Sequence, residues 1–128
     1  MGELTTLVDT SVLIGAGGAP GLQMEGGWAV SAIAVGELHA GVLLAADPAV
    51  RAARLRRLTA VLAVAPVLEV DRAVAARFGE LRAATRRSAT NDLWIAATAL
   101  AHDLTLMTSD DRQAALPLVR TALIAPDR

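Results

Sequence analysis

Four acidic residues in this chain could together hold a metal ion: Asp9, Glu37, Asp92 and Asp110. Asp9 and Asp110 follow apolar runs that are typical of β-strands, whereas Glu37 and Asp92 stand within apolar runs that are typical of helices. Carboxylates that are brought together repel one another, and their pKa values rise unless a positive charge lies nearby. Because the chain contains no lysine, we expect the counter-charge to be Mg²⁺ or Mn²⁺, which prefer oxygen ligands.

Each of the four acids also has a purely structural interpretation. Asp9 could stand in a turn at the end of a strand, and Asp92 could cap a helix. Asp110 or the neighbouring Asp111 could cap a short helix that follows. Glu37 is the hardest to explain in this way, because apolar residues surround it in the sequence. All four acids in this order and at these places favour a shared site over four separate structural roles.

Apolar and polar residues alternate along the chain in a way that predicts strands between helices. Strands are predicted over residues 4–8, 28–30, 67–70, 104–107 and 119–124. Helices are predicted over 32–46, from Asp47 to Pro66 with a stripe of Leu55, Leu58 and Leu62, after Asp71, and from a cap at Thr90 or Asn91 to Ala101. This order predicts an α/β fold with a mostly parallel sheet of four or five strands, flanked by helices on both faces. In such sheets ligands bind beyond the carboxyl ends of the strands, where Asp9 and Asp110 fall.

Composition limits the possible functions. The length of 128 residues predicts one domain, residues 1–128. Hydrophobic residues make up 54%, which indicates either a face covered by a partner or a simple abundance of Ala and Val. The net charge of -1 gives no overall attraction to nucleic acid, and the absence of cysteine excludes zinc-thiolate sites and cysteine nucleophiles. With no apolar run of about 18 residues and no basic start of a secretion signal, we expect a soluble, cytoplasmic protein.

Four stretches of the chain resemble, in order, the motifs of PIN-domain ribonucleases, and most of all those of the VapC toxins of bacterial toxin–antitoxin pairs. The stretches are LVDTSVLI from Leu7 to Ile14, SAIAVGEL from Ser31 to Leu38, NDLWIAATA from Asn91 to Ala99, and LTLMTSD from Leu104 to Asp110. No single stretch is diagnostic, but four in register are specific. The resemblance covers nearly the whole chain.

The resemblance implies a PIN-like sheet with Mg²⁺ or Mn²⁺ in an acidic pocket, and hydrolysis of RNA by an activated water. The products would carry a 5′-phosphate and a free 3′-hydroxyl. The resemblance assigns metal binding and catalysis to Asp9, Glu37, Asp92 and Asp110. Asp9 and Asp92 are the surest ligands by this resemblance, while Glu37 and Asp110 would act through water or serve a second metal.

Two supporting residues and one departure accompany this assignment. Ser11 and Thr108 are expected to orient carboxylates or waters. The family often has an aromatic residue shortly after its last acid, but here Asp110 is followed by Asp111-Arg112-Gln113-Ala114. The alignment is therefore loose by one residue at this point, and Asp111 could take the place of Asp110.

An acidic pocket repels RNA, so cations outside it must hold the backbone. The candidates are Arg86 and Arg87, just before Asp92, and Arg112, just after Asp110. Arginine suits this role because its planar fork can pair with two phosphate oxygens at once. The resemblance also implies a homodimer and a cognate VapB-like antitoxin, with no direct DNA binding by the toxin alone.

Other functions fit the sequence less well. Haloacid-dehalogenase phosphatases and response-regulator receivers use a strand-end Asp and Mg²⁺, but both also use a lysine, and the phosphatases need a second Asp where Ser11 stands. A Ser-His-Asp hydrolase is disfavoured because there is no nucleophile elbow, His39 faces away from Glu37, and His102 lies at a helix end. A PIN-like domain that binds protein partners without catalysis stays an alternative.

Overall fold

The computed structural model describes residues 3–15 and 26–124, and within these ranges the chain forms five strands and six helices. In chain order they are β1 (Leu4–Val8), α1 (Thr10–Leu13), β2 (Gly27–Ser31), α2 (Ala32–Leu44), α3 (Pro48–Val64), β3 (Val67–Leu68), α4 (Arg72–Ala84), α5 (Thr90–Ala101), β4 (Thr105–Thr108), α6 (Asp111–Ala114) and β5 (Thr121–Leu123). None of these helices is long and apolar enough to cross a membrane. Most of the glycine-rich stretch between β1 and β2 lies outside the described residues.

The strands form one parallel sheet in the order β3-β2-β1-β4-β5. The central strand β1 pairs with β2 on one side and with β4 on the other. The chain therefore builds one half of the sheet outward from β1 through β2 and β3, and then crosses to build the other half. In parallel sheets a crevice for ligands opens beyond the strand ends at such a reversal of strand order. The predicted parallel α/β sheet is confirmed, and its reversal lies between β1 and β4.

Helices cover both faces of the sheet, as predicted. Successive residues of a strand point to opposite faces, and the two halves of the core follow this rule. Leu7 packs in a cluster with residues of α4 and α5, whereas the next residue, Val8, packs in a cluster with residues of α1, α2 and α3. Full burial of such side chains contributes about 1.5–3 kcal/mol each, so the two clusters hold the sheet firmly between its helices.

Most helix starts follow the sequence signals. Ser31 caps α2 by accepting a hydrogen bond from the Ala34 amide at 3.0 Å, and Asp71 caps α4 by accepting one from the Val74 amide at 3.0 Å. Asp47 caps α3, whose first residue is Pro48. These caps satisfy amide groups that have no partner inside the helix, which is why Ser and Asp mark the boundaries so well.

The start of α5 differs from the prediction of a cap at Thr90 or Asn91. The helix begins at Thr90, and its N-cap is Ala89, which makes no side-chain cap. The Thr90 hydroxyl instead accepts a hydrogen bond from Arg82 at 3.3 Å. Arg82 of α4 also donates to the backbone carbonyl of Ser88 at 3.3 Å, so it ties the loop before α5 to the first residue of that helix.

Candidate metal centre and adjoining groove

The two strand-end acids are held by backbone amides of the turns that follow β1 and β4. Asp9 is only 5% exposed, and its Oδ2 accepts a hydrogen bond from the Ser11 amide at 3.0 Å. Its own amide donates to the Met107 carbonyl at 2.8 Å, which ties the end of β1 to β4. Asp110 Oδ1 accepts from the Arg112 amide at 2.8 Å and caps α6. These hydrogen bonds hold both carboxylates in place at the carboxyl edge of the sheet.

Two hydroxyl groups join these turns to each other. Ser11 Oγ lies 3.2 Å from Thr108 Oγ1 and accepts a hydrogen bond from the Ser109 amide at 2.9 Å. Thr108 Oγ1 accepts from the Asp110 amide at 3.1 Å and lies at the long distance of 3.5 Å from Asp9 Oδ2. The predicted supporting residues thus lie between the two strand-end acids. Their part in catalysis stays a prediction.

The other two acids are carried by helices. Glu37 lies on α2, where its Oε1 accepts a hydrogen bond from Thr10 Oγ1 at 2.6 Å and its Oε2 accepts a longer one from Asn91 Nδ2 at 3.4 Å. Asp92 lies in the first turn of α5, where the helix dipole tolerates a negative charge. Within residues 3–15 and 26–124, no hydrogen bond reaches the Asp92 carboxylate.

This arrangement clearly raises the pKa of the Asp92 carboxyl group. Partial burial raises the pKa of Asp92 from its ordinary value of 3.8 to about 6, with further contributions from the negative charges of Asp9, Asp110 and Glu37. The fold therefore brings the four predicted acids together. Asp111, the alternative to Asp110, lies exposed in the first turn of α6 and is not among the charges that act on Asp92.

The acids have the donor chemistry of a divalent-cation site without its final geometry. In the part of the chain that the structure describes, no group of three or more acidic or imidazole side chains is arranged to hold a metal ion as it stands. Glu37 and Asp110 are engaged with Thr10 and the Arg112 amide, so binding would require side chains to turn. The donors are all carboxylate oxygens, and the ion pairs formed by the described residues do not include them. Such a set fits Mg²⁺ or Mn²⁺.

An open groove of about 880 Å³ adjoins the acids on the side of Asp92 and Asp110. It lies between α6 and the loop that precedes α5. Two of the predicted RNA-binding arginines line it, Arg87 from the loop and Arg112 from α6. Arg86 is exposed but is not part of the lining. Arginines on two walls could hold phosphate groups beside the acids, although the net charge of the chain is -1.

Three residues of this region were not found from the sequence. Thr10 and Asn91 bond Glu37 across 27 and 54 positions, and no local pattern signals contacts of that range. Gln113 is 1% exposed, lines the groove, and has no partner for either amide atom among the described residues. Leaving such a buried group unpaired costs about 1–3 kcal/mol. No local pattern signalled the burial of Gln113, because α6 is a single turn that ends at Ala114.

Comparison with known proteins shows a matching protein family and a similar ribonuclease. A family model described as PIN domain matches residues 6–118. Ribonuclease VapC4 of Mycobacterium tuberculosis is 39% identical over 125 residues, which cover 92% of this chain and 95% of that protein.

Solved structures give the same result for the fold. The crystal structure of VapBC-5 from Mycobacterium tuberculosis, a member of the VapBC family of toxin–antitoxin systems, matches with a TM-score of 0.78 and 35% identity, over 95% of this chain and 98% of that one. VapBC2 from Rickettsia felis, solved bound to a promoter DNA fragment, matches with a TM-score of 0.79 over 94% of this chain and 98% of its own. At 18% identity, that second likeness concerns the fold alone.

Proposed function

Since this chain belongs to the PIN-domain family, we propose that it is a metal-dependent endoribonuclease toxin of the VapC type. The observation that carries the proposal is the cluster of acids at the carboxyl edge of the sheet, where partial burial and the charges of three neighbouring carboxylates raise the pKa of Asp92 to about 6. A cluster of negative charge with no basic partner is costly for a metal-free protein. A bound divalent cation would offset the repulsion between the carboxylates, which gives a reason for a cluster of four acids at this place.

The residues of the cluster have distinct parts in the proposed reaction. Asp9 and Asp92 would hold Mg²⁺ or Mn²⁺ directly, and Glu37 and Asp110 would act directly or through water. When bound, the ion would supply the charge that activates an attacking water and neutralises the scissile phosphate. One of the carboxylates would accept the proton of that water.

The positioning of these acids depends on residues that do not themselves react. The Ser11 amide and the Ser11–Thr108 hydroxyl pair would keep Asp9 and Asp110 in place while the bond is broken. Arg87 and Arg112 would hold phosphates of the RNA strand on either wall of the groove, and Arg86 would add positive charge at its edge. The two arginines of the lining would thus place positive charge beside the acids, although the net charge of the chain is -1.

We expect a VapB-like antitoxin and a second copy of the chain as protein partners. Exposed apolar side chains on α2 and α3 support a protein partner: Leu43 is 73%, Leu44 80% and Leu55 51% exposed. Of the predicted apolar stripe on α3, Leu58 is buried, whereas Leu55 and Leu62 lie exposed and are available to a partner. A single PIN domain over residues 1–128 and a cytoplasmic location, where RNA is found, complete the proposal.

The test is metal-dependent cleavage of a random-sequence pool of oligoribonucleotides. The purified wild-type protein should cleave the pool with Mg²⁺ or Mn²⁺ and not with EDTA. Asp92→Asn should lower the rate by at least about 100-fold, because it removes one ligand or proton acceptor. Asp111→Asn is the matched control, since it removes a nearby exposed carboxylate that lies outside the cluster. Mn²⁺ binding measured by calorimetry should be lost only in the first variant.

Two results would contradict the proposal. Cleavage that persists in EDTA would exclude the role of the cation. Neither cleavage nor Mn²⁺ binding by the wild-type protein would favour the protein-binding scaffold instead.

A further inference from the structure

We propose that the groove beside Asp92 and Asp110 binds the nucleotide next to the cleaved bond, and that Gln113 reads the base of that nucleotide. The inference rests on the proposed function, because the groove adjoins the acidic cluster. It adds a specificity-determining residue and names what that residue recognises.

The lining of the groove matches the three chemical parts of a nucleotide. Arg87 and Arg112 can pair with phosphate oxygens, and Ser88 carries a hydroxyl that can bond a ribose. Leu116 and Pro117 offer apolar surface for the face of a base. The volume of about 880 Å³ is within the range of small-ligand sites.

Gln113 supplies what the other lining residues do not, a paired donor and acceptor at the buried side of the groove. A carboxamide carries an acceptor oxygen and a donor nitrogen side by side, and neither has a partner within residues 3–15 and 26–124. The edge of a nucleobase has a complementary donor and acceptor, and adenine with its N6 and N7 atoms is the base with which glutamine pairs best. In single-stranded RNA such edges are open to be read.

The position of Gln113 restricts which nucleotide it can meet. It lies on α6, three residues after Asp110, which caps that helix and faces Asp92. A base that reaches Gln113 would therefore belong to a nucleotide directly beside the phosphate held at the acids. Both amide atoms are covered in the free protein, so the side chain must turn about its own bonds to meet the base.

The experiment compares base preference in wild-type protein and Gln113→Met, which keeps the length and volume of the side chain but removes the amide. Cleavage sites in the random-sequence RNA pool are sequenced, and the preference at each position around the cut is measured. We expect wild-type protein to favour adenine at one flanking position, and Gln113→Met to reduce that preference by about 5- to 100-fold. Arg112→Ala is the comparison variant, since loss of a phosphate contact should lower cleavage of all sequences alike.

A second measurement separates this inference from the proposed function. Binding of short fluorescent oligoribonucleotides that differ in one base is measured by anisotropy in an Asp92→Asn background, with and without Gln113→Met. If wild-type protein does not cleave RNA but binding still depends on one base through Gln113, the proposed function fails and this inference stands. If neither cleavage by wild-type protein nor binding by Asp92→Asn shows a base preference, or if Gln113→Met leaves that preference unchanged, Gln113 is a packing residue and the inference is overturned.

Discussion

The strand-end acids and the helix-borne acids carry the same charge but obtain their hydrogen bonds in different ways. Asp9 and Asp110 accept from backbone amides only two positions further along the chain. Glu37 depends on Thr10, 27 positions away. The carboxylate of Asp92 receives no hydrogen bond from the residues that the structure describes, and burial and the other three charges raise its pKa to about 6.

The difference shows that local turns place the two strand-end acids, whereas the two helix-borne acids depend on how their helices pack. A carboxylate bonded to its own turn is placed as soon as the strand and turn form, and the Ser11–Thr108 pair then locks the two turns together. A carboxylate on a helix is placed only when that helix packs against the sheet. We therefore expect the strand-end acids to set the position of a bound cation, and the cation to lower the raised pKa of Asp92.

The largest expected effect tests this division directly. Asp9→Asn should lower the rate of RNA cleavage by at least about 100-fold, and by more than Glu37→Gln does, because Asp9 is the buried, anchored ligand. Single-turnover rates on one RNA, with circular dichroism to check folding, measure the two losses. A greater loss in Glu37→Gln would reverse the order of importance that the hydrogen bonds suggest.

The next effect concerns the link between the two strand-end turns. Thr108→Val keeps the shape of the side chain but leaves the Asp110 amide and Ser11 without their hydroxyl partner. We expect about 10-fold slower cleavage and a loss of about 1–2 kcal/mol in the free energy of unfolding. Denaturant titration measures the stability. Thr105→Val, on the same strand but without these bonds, is the control, and an equal effect in both variants would remove the special role of Thr108.

The pH dependence of stability should report on Asp92. A raised pKa means that the folded protein holds a proton on Asp92 between about pH 4 and 6 where the unfolded chain has lost it, so stability should fall as the pH rises through this range. Because Asp92 is partly exposed, solvent screening reduces this contribution to about 1 kcal/mol.

The measurement is thermal unfolding of the metal-free protein at pH 5 and pH 7. Asp92→Asn should raise the melting temperature by about 4 °C at pH 7 and by about half as much at pH 5, because the folded wild-type protein keeps most of its proton on Asp92 at the lower pH. Added Mn²⁺ should raise it in wild-type protein only. An equal gain at both pH values would mean that the cost of ionising the partly buried Asp92 carboxylate is not the cause.

The smallest effect is expected for the acid outside the cluster. Asp111→Asn should change the free energy of unfolding by less than about 0.5 kcal/mol and leave cleavage unaltered, whereas Asp110→Asn should slow cleavage strongly. The two residues are adjacent, but only Asp110 is among the charges that act on Asp92. If Asp111→Asn slowed cleavage more than Asp110→Asn did, Asp111 rather than Asp110 would be the fourth acid of the site.

Much of the frame of the site could be predicted from the sequence. The strand from Leu4 to Val8 begins and ends as predicted, and Ser31, Asp47 and Asp71 are caps where caps were expected. These features depend on neighbours in the chain, so local patterns carry them. The prediction failed at Thr90, whose hydroxyl accepts a hydrogen bond from Arg82. The sequence also did not show which leucines of the α3 stripe are buried, since that depends on what packs against the helix.

The sequence by itself determined the α/β order of elements and the strand-end places of Asp9 and Asp110, and it led to the prediction of a divalent-cation site at four acids in a chain without lysine. Only the tertiary structure decided that Asp110 rather than Asp111 faces Asp92, that Thr10 holds Glu37, and that Gln113 is buried without a partner. The physical reason is the separation in the sequence between the residues that interact. Periodicity and caps are set by residues within a few positions, whereas these contacts join segments that meet only when the helices pack on the finished sheet.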